Sequence, residues 1–239
     1  MDYRNRAERE AKLAAALARL GASQRRKLLE IMGDPPKIEN VAPEYWDASL
    51  AEWRGVLTPE LESIFVDSAM ELVAAQPGLG MVDWEQVNQG AADWARRYSN
   101  DLIKKIDDTT MRGVQDAVAD YYEQSWTVKQ LTERLGRWFG PVRAEMIAVT
   151  EVTRAAVEGE MEVIKEVAEQ GIQMTAIWST ANDDLTCDIC RPLNQLPAEG
   201  GTVSDPTWTH PVTGQIVNKP PAHPRCRCAV DHELPKRKR

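Results

Sequence analysis

All four cysteines of this 239-residue chain lie in two close pairs near its C-terminus. Cys187 and Cys190 form a Cys-x-x-Cys pair, which places two sulfurs on one tight turn and is the usual first half of a tetrahedral zinc site. Cys226 and Cys228 are two residues apart, so in an extended segment both side chains leave the same face. Four thiolates could therefore converge on one metal ion, and His223 could replace either of the last two.

The segment between the two cysteine pairs is rich in Gly, Pro, Thr and Asn, so a cross-link would supply order that packing cannot. Two disulfides would also account for four cysteines, but we see no secretory signal and expect a reducing cytoplasm. Four unligated thiols are the third alternative. A catalytic zinc would need a nearby base, and no H-x-E or H-E-x-x-H run is present. We predict a structural zinc with ligands drawn from Cys187, Cys190, Cys226, Cys228 and His223.

The residues around the cysteines follow a longer order. The chain reads W-S-T-x-x-D-D-x-x-C-x-x-C from Trp178 and P-P-x-H-P-x-C-R-C from Pro220, with a short Gly/Pro loop between them. This order resembles the C-terminal signature of the phage Mu F-like minor head proteins, the head morphogenesis family. Residues 148–155 read A-V-T-E-V-T-R-A where that family tends to read A-R-T-E-T-x-x-A, with Val149 in place of the arginine. The resemblance covers residues 125–230.

The resemblance implies a minor head protein that associates with the portal protein, and with capsid or scaffold proteins, during procapsid assembly. It also implies contact with packaged DNA and a location inside the capsid of the virion, reached from the host cytoplasm during assembly. The residues leave two other functions open. One is a zinc-stapled nucleic-acid-binding module outside the particle, and the other is an effector enzyme or toxin.

The charge of the chain is uneven. A net charge of -8 argues against a protein that binds nucleic acid over its whole surface, but both ends are basic. Basic ends on an acidic body suggest arms that contact phosphate or an acidic partner, although solvated tails would give the same pattern. The predicted contact residues are Arg4, Arg6, Arg9, Arg25, Arg26, Lys27, Lys236, Arg237, Lys238 and Arg239. No apolar run approaches the ~20 residues that span a membrane, so we expect no membrane partner.

Apolar residues recur at helical spacing through most of the chain. Gly21 is a candidate break in the first helix, and Thr58-Pro59 is a typical helix start. Thr127 and Gln130 form a capping box, and Gly171 closes the last helix. The predicted helices cover residues 3–32, 43–56, 58–76, 83–121, 127–139 and 141–170.

The hydrophobic period changes only after residue 173. Residues 174–178, 215–217 and 226–230 have the pattern of short strands. We therefore predict an α+β protein of long helices with a small, zinc-stapled C-terminal β unit over 173–230. The predicted segments are a basic helix and linker (1–36), a helical body (37–124), the head morphogenesis domain (125–230) and a basic tail (231–239).

Catalytic signatures are weak. Glu158 and Glu160 have the E-x-E spacing of ADP-ribosyltransferases, but they precede the Ser-Thr element instead of following it, and in a helix residues two apart point to different sides. Asp183 and Asp184 are typical of a turn in which carboxylates satisfy backbone donors. The sequence contains no phosphate-binding glycine loop, nucleophile elbow or dinucleotide fingerprint. We expect the chain not to be an enzyme.

Overall fold

The computed structural model describes residues 3–79, 82–181 and 183–234. Helices dominate it, and all the named strands follow the last long helix, which confirms the predicted α+β class. The helices are α1 (Tyr3–Met32), α2 (Pro43–Ala75), α3 (Trp84–Glu123), α4 (Val128–Phe139) and α5 (Pro141–Glu169). Within the described ranges, no helix combines the length and the apolar character that crossing a bilayer requires.

Local side-chain chemistry sets several helix ends as predicted. The Gln130 amide donates to Thr127 Oγ1 at 3.3 Å while the Thr127 amide donates to Gln130 Oε1 at 2.8 Å, so the capping box opens α4. At the end of α5, Gly171 takes a positive φ of 87°, which glycine adopts without steric cost. The Ile172 amide then donates to the Val167 carbonyl at 3.2 Å, which satisfies one of the last helical acceptors.

The predicted helix start at Thr58-Pro59 is wrong, because α2 runs through it without a break. The Thr58 hydroxyl does not cap a helix but lies 2.8 Å from the Ser99 hydroxyl of α3. Proline at position 59 removes one backbone hydrogen bond, whose acceptor would be the carbonyl of Gly55. Gly55 is exposed and has open space around it, so water can satisfy that carbonyl.

The candidate break at Gly21 is also wrong, since α1 is continuous there. Gly21 is buried, and a Cβ atom at this position would lie 2.6 Å from the carbonyl oxygen of Phe139. The glycine therefore serves a close approach of two backbones and does not end a helix.

The chain divides into two compact units. The second unit contains residues 10–60 and 95–148. Its core joins α1, α3 and α4 through their apolar stripes, as the helical periodicity predicts. The fully buried members are Leu28, Met32, Val114, Ala117, Leu131 and Leu135.

The first unit contains the described residues within 1–9, 61–94 and 149–239. One core cluster joins α2, α3 and α5 through residues such as Phe65, Val87 and Val163. A second cluster joins Val157 and Met161 of α5 to the C-terminal β unit. Helix α5 is thus the element on which the β unit packs.

The β unit contains two small antiparallel sheets. Strands β1 (Thr175–Ser179) and β5 (Ala229–Glu233) pair with Trp178 opposite Val230, and β2 (Gly200–Thr202), β3 (Asp205–Thr209) and β4 (Ile216–Asn218) form the other sheet in that order. The predictions for β1 and β4 are confirmed within one residue. The predicted strand over 226–230 starts later, at Ala229, so Cys226 and Cys228 lie in the irregular segment before β5.

Candidate metal centre

The first pair of donors lies on a short knuckle that local hydrogen bonds hold. The amides of Cys190 and Arg191 both donate to the Cys187 carbonyl, at 3.2 and 2.9 Å. The Asp183 carboxylate accepts from the Leu185 amide at 3.0 Å and from the Thr186 hydroxyl at 3.2 Å. Asp183 therefore satisfies donors of the turn, as its position in the sequence predicts.

The imidazole of His223 reaches this knuckle from the second half of the motif. Its Nε2 lies 3.0 Å from Cys187 Sγ and 3.2 Å from Cys190 Sγ. Its Nδ1 lies 2.7 Å from the Pro224 carbonyl oxygen, so Nδ1 carries the proton and donates it. This leaves the Nε2 lone pair directed at the sulfurs, the usual state of a metal-binding histidine.

Two further thiols complete the cluster. Cys190 Sγ lies 3.8 Å from Cys226 Sγ, and the sulfurs of Cys190, Cys226 and Cys228 all lie within 4.8 Å of one another. A spacing of about 3.8 Å is what two thiolates have on one zinc with Zn–S bonds of about 2.3 Å, and it is far longer than a disulfide bond of about 2.05 Å. The structure thus brings all five predicted donors together, and Cys190 belongs to both close groups.

The thiols perturb one another strongly. Hydrogen bonds from Cys190 and then Cys228 lower the pKa of the Cys226 thiol. Hydrogen bonding to Cys226 and Cys228, together with burial, raises the pKa of Cys190. One thiolate is therefore stabilised by protonated neighbours. A bound cation would let the thiols that bind it ionise together, because it neutralises their negative charge.

His210, the residue that follows strand β3, supports the knuckle, a role that the sequence did not indicate. Its Nδ1 accepts from the amides of Val212 and Thr213, both at 3.2 Å, so its Nε2 carries the proton. That Nε2 lies 3.1 Å from the carbonyl oxygen of Ile189, between the two knuckle cysteines, and donates to it. Nothing in the sequence pattern around His210 signals this contact.

Helix α5 holds the second pair of cysteines through two threonines one turn apart. The Thr153 hydroxyl donates to the Cys226 carbonyl at 2.6 Å, and the Arg225 amide donates to Thr150 Oγ1 at 2.9 Å. Arg6 of α1 donates to the Thr153 hydroxyl and, at 3.5 Å, to the Cys228 carbonyl. The T-E-V-T run was recognisable in the sequence, but its role as a docking edge was not.

A small aromatic core lies behind the donors. Trp178 and Trp208 are almost fully buried and meet edge to face with ring centroids 5.1 Å apart. The Trp208 indole donates to the Leu196 carbonyl at 2.9 Å, so its polar atom is satisfied. Cys190, Cys226 and Cys228 are part of this same buried cluster.

Three of the predicted basic contact residues have acidic or internal partners. Arg6 is 3% exposed and is occupied as described above. Arg9 forms an ion pair with Asp67, and Lys27 Nζ lies 2.8 Å from Glu52 Oε1.

The other predicted contact residues belong to helix α1 or to the C-terminal end of the chain. Arg25 is half-buried and Arg26 is exposed, and Arg4 lies within α1. Lys236, Arg237, Lys238 and Arg239 lie outside the described residues. Contact of these residues with a partner or nucleic acid stays a prediction.

The two glutamates of the E-x-E run lie in different surroundings on α5. Glu158 Oε2 accepts from Lys219 Nζ at 3.1 Å and so ties α5 to the segment after β4. Glu160 is buried, and burial raises the pKa of its carboxyl group.

Comparison with models of known protein families finds one matching region in this chain. A family model described as phage Mu protein F like protein matches residues 104–231, slightly more than half of the chain, and this range contains every donor of the metal centre. Comparison with curated proteins and with solved structures gives no match.

Proposed function

The chain belongs to the phage Mu protein F like family of head morphogenesis proteins, and we propose that it is a minor head protein that joins the portal during procapsid assembly. The family match over residues 104–231 carries this proposal. The chain would then enter the particle with capsid and scaffold proteins and remain inside the virion. The long helices supply the docking surfaces for these partners. The C-terminal β unit acts as a rigid module.

We further propose that a structural zinc holds the C-terminal unit, with Cys187, Cys190, His223 and Cys226 as its four ligands. The donor set supports zinc, which prefers thiolate and imidazole ligands in tetrahedral sites. His223 is included because Nε2 faces the knuckle sulfurs while Nδ1 donates to a backbone carbonyl. Cys226 is included because its sulfur lies 3.8 Å from that of Cys190.

Cys228 is then a buried thiol beside the site. It belongs to the core cluster that contains Trp178 and Val230, and it is 4% exposed. Four protein ligands leave no open position for water, so the metal would stabilise the fold and not activate a nucleophile. We accordingly propose a structural role for the whole chain and assign no catalytic residue.

Contact with packaged DNA would depend on a few basic residues. Arg26 is exposed, whereas Arg6 is buried and Arg9 and Lys27 are paired within the protein. We therefore propose a weak interaction through Arg26 and the C-terminal basic residues. Because it would be dominated by phosphate contacts, its affinity for double-stranded DNA should fall steeply as salt is raised.

Portal association is tested by co-expression with the portal protein of the same phage. We expect the full chain to co-elute with the portal oligomer in gel filtration and to be cross-linked to it by a lysine-reactive reagent. If the C-terminal β unit takes part in this association, the Cys190→Ser variant should no longer bind the portal. Elution of the wild-type chain alone, under conditions in which the portal oligomer forms, would contradict the proposal.

A further inference from the structure

A long cleft in the second unit has no role in the metal centre. It has a volume of about 900 Å³ and lies along one face of α2 and one face of α3, with Ile38 and Glu39 of a short 3-10 helix also lining it. The α3 residues that line it run from 100 to 115 at helical spacing. At a rise of about 1.5 Å per residue, the cleft therefore extends over roughly 22 Å, or about four helical turns.

The floor of the cleft is apolar. Trp46 and Leu50 of α2 face Ile103 and Met111 of α3 across it. Ile103 is buried, and the other three side chains are half-buried, so each keeps apolar surface open to the cleft. Apolar grooves of this length between two helices are the usual receptors for an amphipathic helix.

The walls of the cleft are acidic. Five carboxylates line it, against the two cations Arg54 and Lys104, and the Arg54 Nε already donates to the side chain of Asn100 at 3.0 Å. The lining carboxylates are Glu39, Asp47, Asp101, Asp107 and Asp108. Such a surface repels phosphate and attracts a basic segment.

Asp107 distinguishes this cleft from an ordinary acidic surface. It is 6% exposed, it lines the cleft, and no hydrogen bond or ion pair reaches its carboxylate from the described part of the chain. Burial, and then the charges of Asp108 and Asp47, raise its pKa to about 6. A buried carboxylate without a cation costs stability, and groups kept at such a cost are concentrated at binding sites.

We propose that this cleft binds an amphipathic helical segment of a partner protein, with a lysine or arginine of that segment paired to Asp107. Its apolar side chains pack on Trp46, Leu50 and Ile103, and further basic residues face the exposed carboxylates of the walls. A divalent metal is a poorer occupant, because none of the close metal-donor groups within the described residues contains a carboxylate of this cleft. The proposal is independent of the metal centre, which lies in the other unit.

The test uses the full chain and a designed probe, a helical peptide of about 15 residues, which is about 22 Å long. The probe has a leucine stripe flanked by arginines, and a control peptide has the same leucines flanked by glutamates. Fluorescence anisotropy should show binding of the basic peptide only. Asp107→Asn should weaken it at least about 10-fold, because a buried charge pair loses one partner. Hydrogen exchange with the probe bound should slow in segments 38–54 and 100–115.

Asp116→Asn is the matched control, since Asp116 is an exposed aspartate of α3 outside the cleft and should leave the affinity unchanged. Circular dichroism establishes that both variants fold. Equal binding of the two peptides, equal loss in the two variants, or protection elsewhere in the chain would overturn the proposal. So would self-association of the wild-type chain that Asp107→Asn abolishes, because the occupant would then be a second copy.

Discussion

Replacing Cys190 with serine removes the one donor that belongs to both close groups of the metal centre. Its sulfur lies 3.2 Å from His223 Nε2 and 3.8 Å from Cys226 Sγ, so this substitution separates the knuckle from the segment before β5. We expect loss of the metal and opening of the β unit. The helices should remain, because the cores centred on Leu131 and Val163 do not include the cysteines.

The expected loss of stability in the β unit can be calculated from the length of the loop that the metal closes. Cys190 and Cys226 are 36 residues apart, and restricting an unfolded loop of that length is worth about 4 kcal/mol. This is comparable with the whole stability of a small domain, which is about 5–15 kcal/mol. The remaining core behind the donors is small and centred on Trp178 and Trp208, so it cannot replace the cross-link.

Three measurements on the purified chain test this prediction. Elemental analysis should give one zinc per wild-type chain and none for Cys190→Ser. Limited proteolysis should cut the variant within residues 180–228 while far-UV circular dichroism keeps most of its helical signal. Asp188→Ser, an exposed neighbour on the same knuckle, is the control and should retain zinc. Unchanged zinc content and unchanged proteolysis in Cys190→Ser would refute the reasoning.

Four further substitutions test the metal centre, the packing of two helical glycines and the cleft. Cys228→Ser should keep one zinc per chain, and loss of the metal by elemental analysis would show that Cys228 is a ligand. Gly159→Ala should lower the melting temperature, at a cost of about 1–3 kcal/mol, because its Cβ would lie 2.0 Å from the Phe65 carbonyl oxygen. Gly90→Ala, where the new Cβ meets only a side chain at 3.5 Å, should instead stabilise by about 0.5–1 kcal/mol, and equal effects of the two alanines in thermal unfolding would count against this packing. Asp107→Asn should raise the free energy of unfolding by about 1 kcal/mol at pH 7.5, after allowance for solvent screening in the open cleft. The reason is that burial raises the pKa of the Asp107 carboxyl to about 6, so this carboxyl destabilises the fold when it is ionised. This gain should disappear as the pH falls from about 6 to about 4, where the native carboxyl is protonated, and a gain that persists at pH 4 in urea unfolding would contradict it.

The parts of the fold that could be predicted are those set by neighbouring residues. The capping box of Thr127 and Gln130 and the closing turn at Gly171 need only local chemistry, so sequence is sufficient for them. Thr58-Pro59 has the same local chemistry as a helix start. There α2 continues without a break, and the threonine hydroxyl pairs with that of Ser99, which is distant in the chain.

The strands β2 and β3 were missed for a related reason. Gly200, Gly201 and Pro206 are typical of turns, and these segments become strands only because they pair with each other and with β4. Trp208 then turns inward against Trp178. Pairing between short segments is a tertiary property and leaves little trace in local composition.

The metal donors were predictable because their spacing is itself the signal. Their supports were not, since each acts through a contact between distant parts of the chain. His210 reaches the knuckle across 21 residues, and Thr153 reaches Cys226 across 73. The buried position of Arg6 was equally hidden, because a basic residue near a chain end ordinarily indicates a solvated surface.

The most direct test of the proposed head function is made on particles of the phage that encodes the chain. Procapsids and DNA-filled heads are separated by density, and this 26.8 kDa chain is quantified in each by mass spectrometry against the portal protein. A minor head protein should be present in both fractions in few copies per portal oligomer. Absence of the chain from both fractions, in particles that contain the portal, would contradict the account.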